Sequence, residues 1–125
     1  MMDLKKCFSL VGSDYDEVFA RIPNDALIYK VLFRFLEDKT VEQLCTALEE
    51  NRKEEAFYAV HTLKGLCSNL GLKNLQDSAS ELTELLRVQN KSPQLEEVAV
   101  LLEQVKKDYQ VAVEVIQQLK EDGKY

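Results

Sequence analysis

The recurrence of apolar residues every three or four positions, through almost the whole chain, is the feature that most constrains the fold. Turn-forming residues rarely interrupt this pattern, because the 125 residues include only 4 glycines and 2 prolines. Apolar residues at such spacing gather on one face of an α-helix, and that face can be buried against other helices. The sequence therefore predicts an all-α fold rather than a set of short strands.

The first part of the chain is predicted to form two short helices and then a long one. The short helices lie within residues 2–22 and are interrupted at Val11-Gly12-Ser13, with Ser13 or Asp14 capping the second helix. Pro23-Asn24-Asp25 precedes the long helix. We predict that this helix is continuous over residues 25–50, although loosened at Asp38-Lys39-Thr40.

Three further helices are predicted at about 53–70, 73–88 and 94–120. Gly71 is expected to end the first of them, and Asn90 to Pro93 to form a loop. The apolar faces of the long helices are expected to include Leu27 and Leu95. Amphipathic helices joined by short loops favour an antiparallel up-down four-helix bundle over residues 25–120, with the short N-terminal helices across one end. The whole chain, 1–125, is expected to be a single domain.

Composition excludes several classes of function. The net charge of −6 argues against nucleic acid as a partner, because phosphate binding needs clustered lysines and arginines. No apolar run approaches the roughly 18 residues of a membrane span, and the N-terminus lacks the apolar segment of a signal peptide. The three cysteines show no CxxC spacing, which argues against a disulfide framework or a zinc site. A cytoplasmic protein with reduced thiols and no membrane contact is expected.

The only histidine lies within a predicted helix, in the segment AVHTLKGLCSNLGLKNL of residues 59–75. At about 100° per residue, His61 projects roughly 160° away from the apolar stripe of this helix. That stripe consists of Ala56, Val60, Leu63, Cys67 and Leu70. His61 is therefore predicted to face solvent, with Lys64, Gly65 and Ser68 near it on the same side of the helix.

Gly65 is unusual because a glycine inside a helix costs about 1 kcal/mol relative to alanine. Helix packing does not explain it, since the same geometry directs position 65 away from the apolar stripe. We infer that another molecule approaches the helix at this point.

The residue types around His61 favour one chemistry over two others. A metal site is disfavoured, because the chain has no second histidine and no paired cysteines. A serine–histidine nucleophile pair is disfavoured, because Ser68 lies two turns away and an intact helix offers no oxyanion hole. A neutral imidazole is itself a nucleophile and can take a phosphoryl group on its outer nitrogen. Lys64 could then offset the charge of that group.

The residues HTLKGLCSNLG, 61–71, resemble the signature of the histidine-containing phosphotransfer (HPt) domain. That signature is H-x-x-K-G followed by a glycine ten residues after the histidine, and His61, Lys64, Gly65 and Gly71 match it. The family fold is a four-helix bundle. The resemblance implies that His61 accepts a phosphoryl group from an aspartyl phosphate on a response-regulator receiver domain and passes it to another receiver.

The resemblance also implies roles for neighbouring residues. Lys64 would stabilise the phosphoryl oxygens, Gly65 would provide clearance, and Ser68 or Asn69 would hydrogen-bond near the group. Partner docking is expected on an apolar patch around the histidine that includes Phe57, Tyr58, Tyr29 and Phe33.

The partners implied are receiver domains and a sensor histidine kinase. The chain would be a monomeric phosphoryl carrier without ATP-dependent kinase activity. It would need no cofactor of its own, because the Mg²⁺ ion sits in the receiver.

The chain departs from the family pattern at one position. Many members place Gln or Glu 22 residues after the histidine, where the side chain can hold the ring nitrogen, and this chain has Thr83 there. Threonine is shorter, so ring orientation would depend on Glu84 or on a water molecule instead.

Two alternative functions remain open at the level of sequence. The chain could be a phosphoacceptor domain of a larger chemotaxis-type kinase, although the initial Met and the polar end KEDGKY favour a free-standing protein. It could instead be a helical module that binds a receiver without chemistry, although the presence of His61 argues against this alternative.

Overall fold

The structure, a computed structural model, describes residues 1–87 and 95–123. All regular secondary structure among these residues is α-helical, which confirms the predicted fold class. The helices are α1 (Leu4–Leu10), α2 (Tyr15–Arg21), α3 (Asp25–Phe35), α4 (Thr40–Glu49), α5 (Lys53–Leu70), α6 (Lys73–Leu85) and α7 (Leu95–Asp122). None of the described helices combines the length and the low charge that a membrane-spanning helix needs.

The predicted continuous helix over 25–50 is wrong, because α3 ends at Phe35 and α4 begins at Thr40. After Phe35 the backbone closes three-residue turns, with the N–H of Asp38 donating to the carbonyl of Phe35 at 3.1 Å. The Asp38 carboxylate then accepts a hydrogen bond from the N–H of Thr40 at 2.8 Å. A short acidic side chain that bonds to the backbone two residues later favours a turn over a continuous helix.

The other boundaries agree closely with the prediction. Gly71 ends α5 in the left-handed conformation, with φ of 73°, and Asp14 caps α2 by accepting a hydrogen bond from the N–H of Asp16 at 2.9 Å. The helix predicted over 73–88 ends earlier, at Leu85, and the predicted loop at 90–93 lies outside the described residues.

The core is built mainly by four helices, because α5 packs against both α4 and α6, and α6 packs against α7. The shorter helix α3 contacts α5 and α7. Leu27 and Leu95 were expected on buried faces, but they are 45% and 82% exposed. Leu95 begins α7, and Leu27 lies in the first turn of α3, so both lie at the N-terminal ends of their helices.

The N-terminal helices are fixed to the junction between α5 and α6. The N–H of Asn74 donates to the carbonyl of Val11 at 3.0 Å, and a side chain at Gly12 would clash with Asn74. Arg21 at the end of α2 donates to the carbonyl of Ser68 at 2.6 Å. These contacts connect α1 and α2 to the last turn of α5, the helix that carries His61, and to the first turn of α6.

Candidate functional site

Helix α5 directs the histidine away from the core, as the sequence predicts. All five residues of its apolar stripe are buried, whereas His61 and Gly65 are exposed. The residues of the stripe are separated by three or four positions, and that spacing alone determines which face of the helix is buried. The imidazole is therefore accessible to a molecule that approaches from solvent.

Gly65 lies one turn after His61, and it leaves open space beside the histidine. A Cβ atom built on Gly65 would have no heavy atom of a neighbouring residue within 4 Å. The backbone of Gly65 is also helical rather than left-handed, so its conformation does not require glycine. Neither packing nor backbone conformation within the described chain accounts for the missing side chain.

An aromatic ring lies against the histidine. The phenyl ring of Phe57, one turn earlier on α5, stacks on the imidazole of His61 with centroids 5.8 Å apart and planes inclined by 10°. Phe57 is half-buried and packs against the core. Tyr58, beside it, is 63% exposed and meets Phe57 edge to face, with ring centroids 5.9 Å apart. Two of the four predicted docking aromatics are therefore next to His61.

Arg87, which the sequence analysis did not identify, contributes to this arrangement from the end of α6. Its guanidinium carbon lies 5.9 Å from the centroid of the Phe57 ring. Its Nε and Nη2 atoms donate to the two carboxylate oxygens of Glu84 at 2.6 and 2.8 Å. The i,i+3 spacing of Glu84 and Arg87 predicts this ion pair. The contact with Phe57 depends on how α6 packs against α5, and the sequence carries no simple signal for that.

Lys64 lies on the side of α5 that faces Glu84. The pKa of the Glu84 carboxyl is lowered, first by its hydrogen bond from Arg87 and also by the positive charges of Arg87 and Lys64. Within residues 1–87 and 95–123, Lys64 itself forms no ion pair within 4.0 Å. Arg87 therefore binds both oxygens of the Glu84 carboxylate, while the ammonium group of Lys64 can bind another anion.

Thr83 is fully buried, and its hydroxyl donates to the carbonyl of Ala79 at 2.7 Å. This bond commits the hydroxyl proton to its own helix. Glu84, the suggested substitute, is bonded to Arg87. In the part of the chain that the structure describes, the imidazole of His61 makes no hydrogen bond. It stacks on the ring of Phe57.

The remaining predicted residues lie in varied settings. Ser68 is half-buried with its carbonyl bonded to Arg21, Asn69 is exposed, and Gly71 is buried at the end of α5. Tyr29 and Phe33 form an aromatic pair on α3, with centroids 5.9 Å apart.

Residues at or near α1, α3 and α7 lie close to this aromatic pair. Phe33 lies under the ammonium group of Lys120 on α7, at 5.7 Å. Burial raises the pKa of the Tyr29 hydroxyl, and the nearby charges of Asp25 and Asp3 add to the effect. The structure therefore brings Phe57 and Tyr58 together with His61, and it describes Tyr29 and Phe33 among residues of α1, α3 and α7.

A metal centre is not formed by the described residues. No group of three or more histidine, cysteine, aspartate or glutamate side chains is placed to hold an ion in residues 1–87 and 95–123. The three cysteines are free thiols, and burial raises the pKa of Cys7 and of Cys67 to about 12. Thiols with so high a pKa remain protonated and unreactive near neutral pH.

Comparison with known proteins gives one match. The family model described as the Hpt domain matches residues 30–121, a span that includes His61 and all of α4, α5 and α6. No curated protein and no solved structure matches the chain. The match covers well over half of the sequence, and its histidine lies on an exposed helical face beside open space. The chain therefore belongs to the Hpt domain family.

Proposed function

We propose that this protein is a phosphoryl carrier of a two-component phosphorelay, with His61 as the residue that is phosphorylated. The observation that supports it most strongly is the exposed imidazole of His61 beside the open space at Gly65, in a chain of the Hpt family. The donor and the acceptor would be aspartates of response-regulator receiver domains. A sensor histidine kinase would supply the first phosphoryl group of the relay.

The chemistry is a phosphoryl exchange between a carboxylate and an imidazole. An unprotonated nitrogen of His61 attacks the phosphorus of the receiver's aspartyl phosphate, the N–P bond forms, and the O–P bond breaks. The aspartate leaves as a carboxylate, and the other ring nitrogen keeps its proton. Transfer to a second receiver is the same reaction in reverse, so the carrier is regenerated unchanged.

Lys64 is the residue proposed to balance the charge of the phosphoryl group. It lies three positions after His61, a spacing that puts both side chains on neighbouring parts of one helical face. Its ammonium group is not taken by Glu84, because Arg87 bonds to both oxygens of that carboxylate. A lysine that is already in place, and that forms no ion pair with the described residues, can stabilise charge that develops on the phosphoryl oxygens.

Gly65 is proposed to give the receiver access to the ring. A receiver domain must bring its aspartyl phosphate within bonding distance of the imidazole, and a side chain at position 65 would stand between the two proteins. The missing side chain lowers the stability of the helix, but it lets the receiver domain approach the imidazole closely. Such a cost is reasonable at a site where two proteins exchange a group.

The docking surface is proposed to extend from Phe57 and Tyr58 toward α4. A shallow groove lies between α4 and α5. It is lined by Thr40, Gln43, Glu55, Tyr58, Ala59 and Thr62. Because Tyr58 lines this groove and precedes His61 by three residues, a receiver domain is the occupant that we propose. That Tyr29 and Phe33 also belong to the docking surface remains a prediction from the sequence.

Several finer expectations accompany the proposal. The helices would form an antiparallel bundle, and the carrier would act as a monomer in the cytoplasm. The Mg²⁺ ion needed for the chemistry would be held by the receiver, so that this chain holds no cofactor. Each of these remains a prediction from the family and the sequence.

The proposal is tested by incubating the protein with a receiver domain that carries a radiolabelled aspartyl phosphate. We expect label to move to this chain, to be labile in acid and stable in alkali, and to be absent from the variant His61→Gln. If receiver domains of the same organism leave the wild-type protein unlabelled, or if His61→Gln is labelled equally, the proposal is wrong.

A further inference from the structure

The ring of His61 has considerable freedom unless a neighbour fixes it. An exposed histidine on a helix can occupy several rotamers about its two side-chain bonds. Phosphoryl transfer needs one ring nitrogen directed at phosphorus, and a misplacement of about 1 Å can cost a hundredfold in rate. The rate of transfer therefore depends on what holds the imidazole plane.

Hydrogen bonding does not hold it in the described residues. Thr83, the residue of α6 at the expected position, is buried and directs its hydroxyl proton to Ala79. Glu84 is held by Arg87 through both carboxylate oxygens. The contact that the imidazole does make is the near-parallel stack on Phe57, with planes inclined by 10°.

Phe57 is itself well fixed. It is half-buried and packs against the core, which restricts its side-chain rotamers. The guanidinium of Arg87 lies within the range of a cation–π contact with its ring, at 5.9 Å. Arg87 is in turn oriented by two hydrogen bonds to Glu84. A continuous series of contacts thus runs from α6 through Arg87 and Phe57 to the imidazole on α5.

We propose that Phe57, supported by Arg87 and Glu84, is the positioning residue that sets the plane of the His61 ring for phosphoryl transfer. The proposal rests on the proposed function and adds to it that an aromatic stack, rather than a hydrogen bond, orients the phosphorylated residue. In this proposal Phe57 does not touch the phosphoryl group, and it acts on the chemical step by orienting the imidazole on which it stacks.

The test compares Phe57→Leu, which removes the aromatic ring and keeps an apolar side chain, with Phe57→Tyr, which keeps the ring. Phe19→Leu is the matched control, because Phe19 is an exposed phenylalanine on α2. The first readout is the proton chemical shift of the two ring C–H groups of His61 in the unphosphorylated protein. The second is the rate of transfer from a phosphorylated receiver domain.

We expect the wild-type ring protons of His61 to be shifted by the ring current of Phe57. We expect that shift to be lost in Phe57→Leu and retained in Phe57→Tyr and Phe19→Leu. The free energy of an aromatic pair corresponds to about a threefold to tenfold change in rate when that pair holds the reactive geometry. Phe57→Leu should therefore transfer about threefold to tenfold more slowly than Phe57→Tyr, while Phe19→Leu transfers at the wild-type rate.

Unchanged histidine shifts in Phe57→Leu would overturn the proposal, and so would an unchanged transfer rate in that variant. If Phe57→Leu does not fold, Arg87→Met gives the same two readouts, with Arg34→Met on α3 as its control. We expect Arg87→Met to reduce the ring-current shift and to slow transfer, and no change in either would overturn the proposal. The chemical shifts need no receiver, so a failure of the proposed function and a failure of the stack are distinguishable.

Discussion

Gly65 follows His61 by one helical turn on the exposed face of α5, and a Cβ atom added to it would meet no heavy atom within 4 Å apart from its chain neighbours and the backbone of its own helix. The histidine is therefore bordered by a space that residues 1–87 and 95–123 do not fill. Every step of the proposed chemistry depends on that space, because a receiver domain must enter it to reach the ring.

The variant Gly65→Gln should fold but fail in transfer. A helical glycine replaced by glutamine raises the free energy of unfolding by up to about 1 kcal/mol, since glutamine favours the helix. The new side chain would occupy the space beside the ring and slow transfer about a hundredfold or more. Urea unfolding and the transfer rate measure the two effects. Gly65→Ala is the smaller control and should transfer better than Gly65→Gln, and unfolding of Gly65→Gln would show that this face is packed after all.

The variant Lys64→Ala should slow transfer without loss of stability. Removing one cation from a reaction centre typically costs tenfold or more in rate, so we expect a decrease of about tenfold to a hundredfold. The free energy of unfolding should change by less than about 1 kcal/mol, because the lysine forms no ion pair with the described residues. Lys30→Ala, an exposed lysine of α3, is the control, and equal rates in both variants would contradict the assigned role.

The variant Leu63→Ala should destabilise the fold by about 2–5 kcal/mol, because a fully buried leucine leaves a cavity when it is truncated. Leu27→Ala provides the contrast, since Leu27 is 45% exposed and should change stability by about 1 kcal/mol or less. Urea denaturation followed by circular dichroism measures both. A small effect at Leu63 would mean that the buried and exposed faces of α5 are assigned incorrectly.

Stability should fall in alkaline solution because of two buried thiols. Burial raises the pKa of Cys7 and Cys67 from 9.0 to about 12, so above pH 9 the unfolded chain releases protons that the folded chain keeps. The free energy of unfolding then decreases by up to about 1.4 kcal/mol per pH unit for each thiol between the two pKa values. The contribution is fully present below pH 9 and is lost as the pH rises toward 12.

Urea unfolding at pH 8 and pH 10 measures this loss. The double variant Cys7→Ala/Cys67→Ala should lose about 2–3 kcal/mol less stability between these pH values than the wild-type protein. An identical loss in both proteins would show that the thiols are accessible in the folded state.

The sequence predicts which residues of α5 are exposed better than it predicts where the helices begin and end. Helical geometry alone determines that Leu63 and Cys67 face the core while His61 faces solvent, and the structure agrees. The break between α3 and α4 was missed, because the apolar spacing continues across it. A single hydrogen bond from Thr40 to Asp38 marks the start of the new helix.

Arg87 could not have been identified in the same way. Its ion pair with Glu84 follows from their i,i+3 spacing at the C-terminal end of α6, just beyond which Arg87 lies, but its position over Phe57 depends on the packing of α6 against α5. The stack of Phe57 on His61 lies within α5 at a spacing of one turn, so the sequence could have predicted it. Contacts within one helix can thus be inferred from the sequence, whereas contacts between helices require the structure.

The most direct test is to locate the phosphoryl group at the level of a single residue. The protein is incubated with a receiver phosphorylated by a small-molecule phosphodonor, digested under alkaline conditions, and analysed by mass spectrometry. The account predicts a single phosphohistidine at position 61, which disappears when an unphosphorylated second receiver is added. A phosphoryl group on any other residue, or none on this chain, would contradict it.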